Sequence, residues 1–567
     1  MPVVLGFNCY KHDAAAAILV DGRLVAAAEE ERFTRRKHDS DYPAKAVEYC
    51  LKTAGVTASD IDCAAYYMVP GEVARENIRY SRHYLFSPGG GNFLLGQLAG
   101  SRKMSLVGAT LRDHLGPSFR ARMAFVDHHE AHAWAAWYCS GFESAAVLTM
   151  DGVGERTTSI LGRFDGPRLS RIAGSAFPNS PGVYYSAVTK HLGFEPDSDE
   201  YKVMGLASYG GPEFEDLFKR MIRATDDGRI VVDTDLMDIH RGVHFARFAP
   251  SVERLIGPVR RPGEEITHTH ENVAASAQKA LEAVGLKLAT ILRSRTGLDR
   301  LVISGGVGLN CVMNGVIERE AGFAEVYPLP APHDAGTSIG AAVAAYIPLF
   351  GADSLESPDG MYLGSSYSEK EIEAALVQSK QPWTKPEDIH METARLVADG
   401  KVVGLFQGRM EFGPRALGNR SILADPRRAD MKDIVNSVVK QREGFRPFAP
   451  SCLEDRAGEY FEGCGKSRYM ISTYMVAPGK AEVIPAVTHV DGTARVQTVT
   501  PETNESYWTI IHRFSELTGV PVVLNTSFNV KGEPIVESPV DALRCFWGTG
   551  LDALSIPPFL IVKPDRF

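Results

Sequence analysis

His128, His129, Glu130 and His132 form the densest group of potential ligands in the chain. The stretch from His128 to Tyr138 is rich in alanine and aromatic residues and reads as a helix. His128 and His132 then lie one turn apart, with both rings leaving the same face. Two imidazoles at that spacing can hold one divalent metal ion. Two acids stand where they could complete the set: Asp151 ends an apolar strand that breaks into Gly152 and Gly154, and Asp334 opens a small-residue helix after His333. Two histidines and two carboxylates make a mixed nitrogen and oxygen site with positions left open for substrate. The histidine pair alone is weak evidence, since such pairs also serve as surface or capping groups. The glutamate of a zinc-protease motif is missing, because Glu130 comes one place too late.

Such groups need a scaffold, and 567 residues allow two or more domains, each with its own core. A hydrophobic content of 44% and a charged content of 23% are ordinary for globular proteins. The net charge of −9 argues against a protein whose main task is gripping nucleic acid. Eight scattered cysteines without a C-x-x-C pair indicate a reducing compartment. The N-terminus reads directly into a strand, and no apolar run approaches the roughly 20 residues of a membrane span. The expectation is a cytoplasmic protein with neither nucleic acid nor membrane as partner.

Residues 3–8 read as a strand, followed by a hairpin over 14–20 and 24–28 with a type I′ signal at Asp21-Gly22. Actin-like ATPase domains open in this way. A second strand, acid, glycine and hairpin unit follows at 145–173, so a duplicated actin-like fold is expected. Residues 70–120 read as a variable flap around Gly89, Gly90 and Gly91, and 211–270 as a polar, turn-rich insertion. That insertion also carries His240 and His244, and in it His268 and His270 read as capping groups of a long helix over 271–295 more readily than as a metal pair. Residues 301–304 form a strand running into Gly305, Gly306 and Gly308, a turn whose backbone N–H groups can approach a nucleotide.

Character changes around 350–362, which places a boundary between domains 1–356 and 357–567. Ser368 and Glu371 form a capping box just beyond it. The second domain concentrates cations in an acidic protein: Arg409, Arg415, Arg420, Arg427, Arg428, Lys432, Lys440, Arg442 and Arg446. That pattern suits a small anion, phosphate or carboxylate, gripped by forked donors. Surface placement fits Arg427 and Arg428 but not Arg415 and Arg446, which sit among glycine, proline and aromatics. Arg495 and the cluster at 524–529 would complete the pocket.

The His128/His132 pair, Asp151-Gly-Val-Gly-Glu155, Gly305-Gly-Val-Gly-Leu-Asn310, Gly413-Pro-Arg-Ala-Leu-Gly418, Arg446-Pro-Phe-Ala-Pro450 and Leu524-Asn-Thr-Ser-Phe-Asn529 together resemble the O-carbamoyltransferase family of antibiotic and nodulation-factor biosynthesis. The resemblance spans nearly the whole chain, except 70–120 and 211–270; Ala15 stands where relatives often carry serine. It implies an α/β protein with an actin-like (ASKHA) ATPase-type, threonylcarbamoyltransferase-like domain followed by a YrdC-like domain that forms carbamoyl-adenylate from carbamoyl phosphate and ATP. By the same resemblance, His128, His132, Asp151 and Asp334 are metal ligands, with Fe(II) the expected ion and Mg(II) accompanying ATP. Lys37, Lys202, Gly306, Val307 and Asn310 are expected at the nucleotide. Arg415, Lys440, Arg446, Arg495, Asn525 and Ser527 are expected at carbamoyl phosphate, and His12 is the expected base toward the acceptor's hydroxyl. The acceptor is a hydroxylated small molecule of unspecified identity, and a homodimer is compatible with the resemblance. Two other readings compete. A tRNA threonylcarbamoyltransferase would bind tRNA at moderate salt, and a non-catalytic actin-like switch would bind ATP without turnover.

Overall fold

Strand Val3–Asn8 is buried along its whole length, a pattern that belongs in mid-sheet. The computed structural model describes residues 1–84, 90–240 and 246–564, without the side chains of 81–84 and 90–94. Gly89 and His244 lie outside the described residues. Val3–Asn8 pairs antiparallel with Ala15–Val20 and parallel with Cys63–Tyr66. Arg23–Glu29 and Arg122–Phe125 extend the two sides of this five-stranded sheet. Asp21 and Gly22 both take positive φ, 53° and 81°, as a type I′ turn requires.

A second five-stranded sheet repeats the pattern around Ser144–Met150. The antiparallel strands Thr157–Asp165 and Leu169–Ala176 lie on one side, and the parallel strands Arg300–Ser304 and Glu325–Pro328 on the other. One topology is therefore used twice. Helices His128–Ser140 and Asp334–Phe350 pack against each other. Their approach is so close that a Cβ on Gly340 would lie 1.7 Å from the Ala131 carbonyl oxygen.

The expected flap is instead helical, with Pro70–Tyr84, Gly90–Ser105 and Val107–Leu115. Leu95 and Leu98 of helix Gly90–Ser105 stay exposed, so this helix lacks the clean apolar stripe that would have marked it in the sequence. The 211–270 segment holds helices Glu215–Met221 and Pro250–Ile256 and two short ribbons. His270 takes part in the capping box of helix His268–Thr296, and its Nδ1 accepts the Thr267 N–H at 3.0 Å.

The chain forms two compact units, one of Met1–Glu30 with His38–Pro358, the other of Glu31–Lys37 with Asp359–Phe567. The second unit is built on a seven-stranded sheet. Val522–Ser527 lies inside it, between Ala449–Leu453 and Arg420–Ala424, antiparallel to both. No helix among the described residues is long and apolar enough to cross a membrane.

Candidate active site

Two carboxylates set the start of helix His128–Ser140. Asp127 accepts the Glu130 N–H at 3.0 Å. Glu155 accepts the Val69 N–H at 2.8 Å and lies 3.3 Å from the His128 nitrogen through either oxygen. Both occupy the donor-rich, electropositive helix end. A Cβ on Gly154 would sit 2.9 Å from that of His128, so glycine is what lets the Asp151 turn close over the ring.

From this helix the Nε2 atoms of His128 and His132 face each other at 3.2 Å. Asp151 Oδ2 lies 2.9 Å from the first and 3.8 Å from the second. Asp334 Oδ1 lies 3.8 Å and 3.9 Å from the same two atoms. Two of these side chains, His132 and Asp151, are also held from behind. Ser304 Oγ meets His132 Nδ1 at 3.2 Å, and the Gly306 N–H donates to Asp151 Oδ1 at 2.8 Å. Such backing orients ligands while leaving their inner atoms free for a cation. The four groups offer ligand atoms all within 4.8 Å of one another. Two ring nitrogens and two carboxylates buried at these distances cannot pair every lone pair with a proton, and a divalent cation satisfies all four together. The residues fit a metal. His129 turns away, its Nδ1 2.7 Å from Thr149 Oγ1.

His12 belongs to a second cluster in the same unit. Asp13 is buried and takes a positive φ of 45°. Its Oδ2 accepts from His12 Nδ1 at 2.6 Å and its Oδ1 from His38 Nδ1 at 2.8 Å, so one carboxylate clasps two rings. His38 Nε2 reaches Ser198 Oγ at 3.2 Å. His333 Nε2 lies 3.4 Å from Glu29 Oε1 and 3.8 Å from Asp13 Oδ2. Burial lowers the His12 pKa, but the Asp13 carboxylate outweighs it and pushes the value up to about 10. His12 therefore favours the imidazolium at neutral pH and has to lose a proton before it can serve as a base.

The residues expected at a nucleotide divide between the units. Gly306 and Val307 lie in the turn Gly306–Leu309. Asn310 caps helix Cys311–Glu320 and exchanges hydrogen bonds of 3.0 Å and 2.8 Å with Gln278. Lys202 pairs with Asp199 at 2.8 Å. These four belong to the first unit, whereas Lys37 belongs to the second.

In the second unit, Arg415 rides on the loop 413–418. Glu411 gathers that loop, its Oε1 accepting the N–H groups of Leu417, Asn419 and Arg420 at 2.7, 2.8 and 3.1 Å. Arg32 donates to the Gly413 carbonyl at 2.9 Å. Asn525 Nδ2 donates to the Ala416 carbonyl at 3.2 Å, beside Arg415. Lys440 ends the turn Asn436–Lys440, and its Nζ donates to the Ser527 carbonyl, to Asn529 O at 3.0 Å and to Asn529 Oδ1 at 2.8 Å. Burial lowers the Lys440 pKa, and Arg442 and Arg446 press it the same way. Arg446 lies 3.6 Å from Glu443, and Arg495 ends the short strand Thr493–Arg495. Two cations of the basic region serve the fold instead. Arg420 is fully buried, donating to the Ser365 carbonyl at 3.0 Å and lying over the Phe406 ring, and Arg409 donates to the Leu363 carbonyl at 2.6 Å. Arg427 and Arg428 pair with Asp425 and Asp430.

Sequence reasoning gave no supporting role to Glu155, His38, Arg32 or Glu411, although Glu155 stands inside the Asp151 motif and Glu411 is a lone acid inside an arginine-rich loop.

Residues 3–343 match the family model for the carbamoyltransferase N-terminus, and 394–563 that for the carbamoyltransferase C-terminus. An uncharacterised protein of Synechocystis sp. is 38% identical over 99% of this chain and 97% of its own. Nodulation protein NolNO of Sinorhizobium fredii is 40% identical over 98% of this chain and 80% of its own. Nodulation protein NolO of Bradyrhizobium diazoefficiens is 40% identical over 77% of this chain and 79% of its own.

Proposed function

Because the chain belongs to the carbamoyltransferase family, we propose that it is an ATP-dependent O-carbamoyltransferase acting on a hydroxylated small molecule. In this reading the first unit is actin-like and transfers the carbamoyl group, and the second is YrdC-like and makes carbamoyl-adenylate. Water cleaves carbamoyl phosphate to carbamate and phosphate. A carbamate oxygen then attacks the ATP α-phosphorus, expelling pyrophosphate. The acceptor hydroxyl attacks the carbamoyl carbon of the adenylate, releasing AMP and leaving the carbamate ester.

One observation carries this reading most directly. The second unit ties the Arg415 loop to Asn525 and ties Ser527 to Lys440, whose pKa is lowered by burial first and by the charges of Arg442 and Arg446 after it. Forked cations beside fixed amides suit a small phosphorylated dianion. In the first unit, His128, His132, Asp151 and Asp334 would hold the metal, iron being the ion the resemblance favours, and the bound ion would supply Lewis acidity. His12, once deprotonated, would take the proton from the acceptor oxygen, and Asp13 would hold its ring through Nδ1. Lys202, Gly306, Val307 and Asn310 are proposed at the transferred nucleotide, and Lys37 and Arg495 at the anions of the second unit.

Arg415→Ala and Arg446→Ala should each abolish carbamoyl-phosphate-dependent formation of AMP and pyrophosphate while leaving circular dichroism unchanged. Removing such a donor from a charged site costs on the order of 100- to 1,000-fold in turnover. Normal pyrophosphate release by both variants would refute the assignment.

A further inference from the structure

Asn525, Gln497 and Ser451 form a polar network in the middle of the second unit's sheet, and their exposures are 1%, 1% and 0%. Its polarity is settled by two main-chain carbonyls, which can only accept. Gln497 Nε2 donates to the Leu417 carbonyl at 2.9 Å, so its Oε1 must face inward, where it accepts from Ser451 Oγ at 2.7 Å. Asn525 Nδ2 donates to the Ala416 carbonyl at 3.2 Å and is shared with Ser451 Oγ at 3.0 Å and Gln497 Oε1 at 3.1 Å. Turning the Asn525 amide over would set its oxygen against the Ala416 oxygen. The side chain is therefore locked with Nδ2 fully engaged. Asn525 Oδ1 is left buried, with no hydrogen-bond partner among the described residues.

A buried acceptor without a donor is costly, and native structures retain one where something else supplies the hydrogen. The strand that carries Asn525 also carries Ser527, and the carbonyl it grips adjoins Arg415. We propose that Ser451 and Gln497 are positioning residues that hold Asn525 Oδ1 as the acceptor for the amino group of the carbamoyl donor. On this account they make the second unit select carbamoyl phosphate against acyl phosphates of the same size. Acetyl phosphate is the informative comparison, since a methyl group replaces the amino group and offers no N–H. The inference rests on the proposed function and adds the basis of donor selection.

The test measures pyrophosphate release from ATP with either phosphate as co-substrate. Acetyl phosphate taken through the same sequence would give phosphate and acetate, and acetate with ATP would give acetyl-adenylate and pyrophosphate. A site built to hydrogen-bond a substrate N–H rejects the analogue lacking it by on the order of 10,000-fold in kcat/KM, and that is the wild-type preference expected. Ser451→Ala and Gln497→Leu each remove one partner of Asn525 Nδ2 and loosen the side chain, so each should lower the preference by at least about tenfold while leaving the KM for ATP unchanged. A general weakening of the fold would raise that KM and depress both co-substrates together. Ser451→Ala removes a single oxygen and keeps the test open should Gln497→Leu fail to fold. Equal use of both phosphates by the wild type, or an unaltered preference in folded variants, would overturn the inference and leave the proposed function standing. Absence of pyrophosphate with either phosphate would overturn both.

Discussion

Asp13 governs two histidines with one carboxylate. Its grip on His12 raises that ring's affinity for a proton, and the sign of the consequence follows. A histidine whose pKa is higher folded than unfolded adds stability that is fully present below its unfolded value near ~6.5 and is lost as pH rises through the folded value. For His12 that window closes at about 10. Asp13→Asn should bring the His12 ring resonance, followed by NMR titration, back toward neutrality, and the stability gap between variant and wild type should shrink from pH 6 to pH 10. A ring that titrates near pH 6.5 in the wild type would contradict this account. Glu155 works at the same scale on the metal cluster, through the His128 N–H and the Val69 N–H. Glu155→Gln is expected to weaken metal affinity about 10- to 100-fold, as loss of an outer-sphere support does. Titration with Co(II), read by its visible spectrum, would show this without any turnover, and an unchanged spectrum and affinity would count against it. At this scale the residue types of the cluster were legible, because histidines one helical turn apart and strand-end acids announce themselves. Their supports were not: what Glu155 and His38 hold is decided only when the chain brings them to His128 and Asp13.

Helix His128–Ser140 owes its position to helix Asp334–Phe350, and Gly340 is where they touch. Gly340→Ala places a methyl group on the Ala131 carbonyl, an overpacking that costs roughly 1–3 kcal/mol where the backbone yields and more where it does not. The expected outcome is a lower melting temperature together with reduced metal content, since these two helices carry His128, His132 and Asp334. A variant that loses neither would show that the helices slide freely. Elements were legible where their signals are local. The Asp21-Gly22 turn and the Ser368–Glu371 capping box are read within four residues and occur as read. Helix Gly90–Ser105 was not legible, because it shows the sequence no regular apolar stripe.

At the scale of the molecule, the segment Glu31–Lys37 is counted with a unit that otherwise begins at Asp359. Arg32 is 5% exposed, lies 2.6 Å from Glu31 Oε1 and donates to the Gly413 carbonyl. Arg35 donates to the Pro534 carbonyl at 2.8 Å and to that of Ile535. Arg32→Ala would remove a buried partner of the Glu31 carboxylate, and breaking a buried pair from one side costs about 3–5 kcal/mol. Calorimetry of the full chain should show that loss, and a stability equal to wild type would refute the structural weight given to the pair. The sequence by itself determined the repeated strand and hairpin units, the caps, the types of residue at the histidine and aspartate cluster and the concentration of cations in the last third. Those features follow from a 3.6-residue or two-residue period, or from a cap acting within one turn. Only the tertiary structure decided which of those cations serve main-chain carbonyls, which carboxylate clasps which histidine, where residues 31–37 belong and that the Asn525 amide oxygen finds no donor among the described residues. Such choices depend on contacts between residues tens to hundreds of positions apart, and no local pattern encodes them.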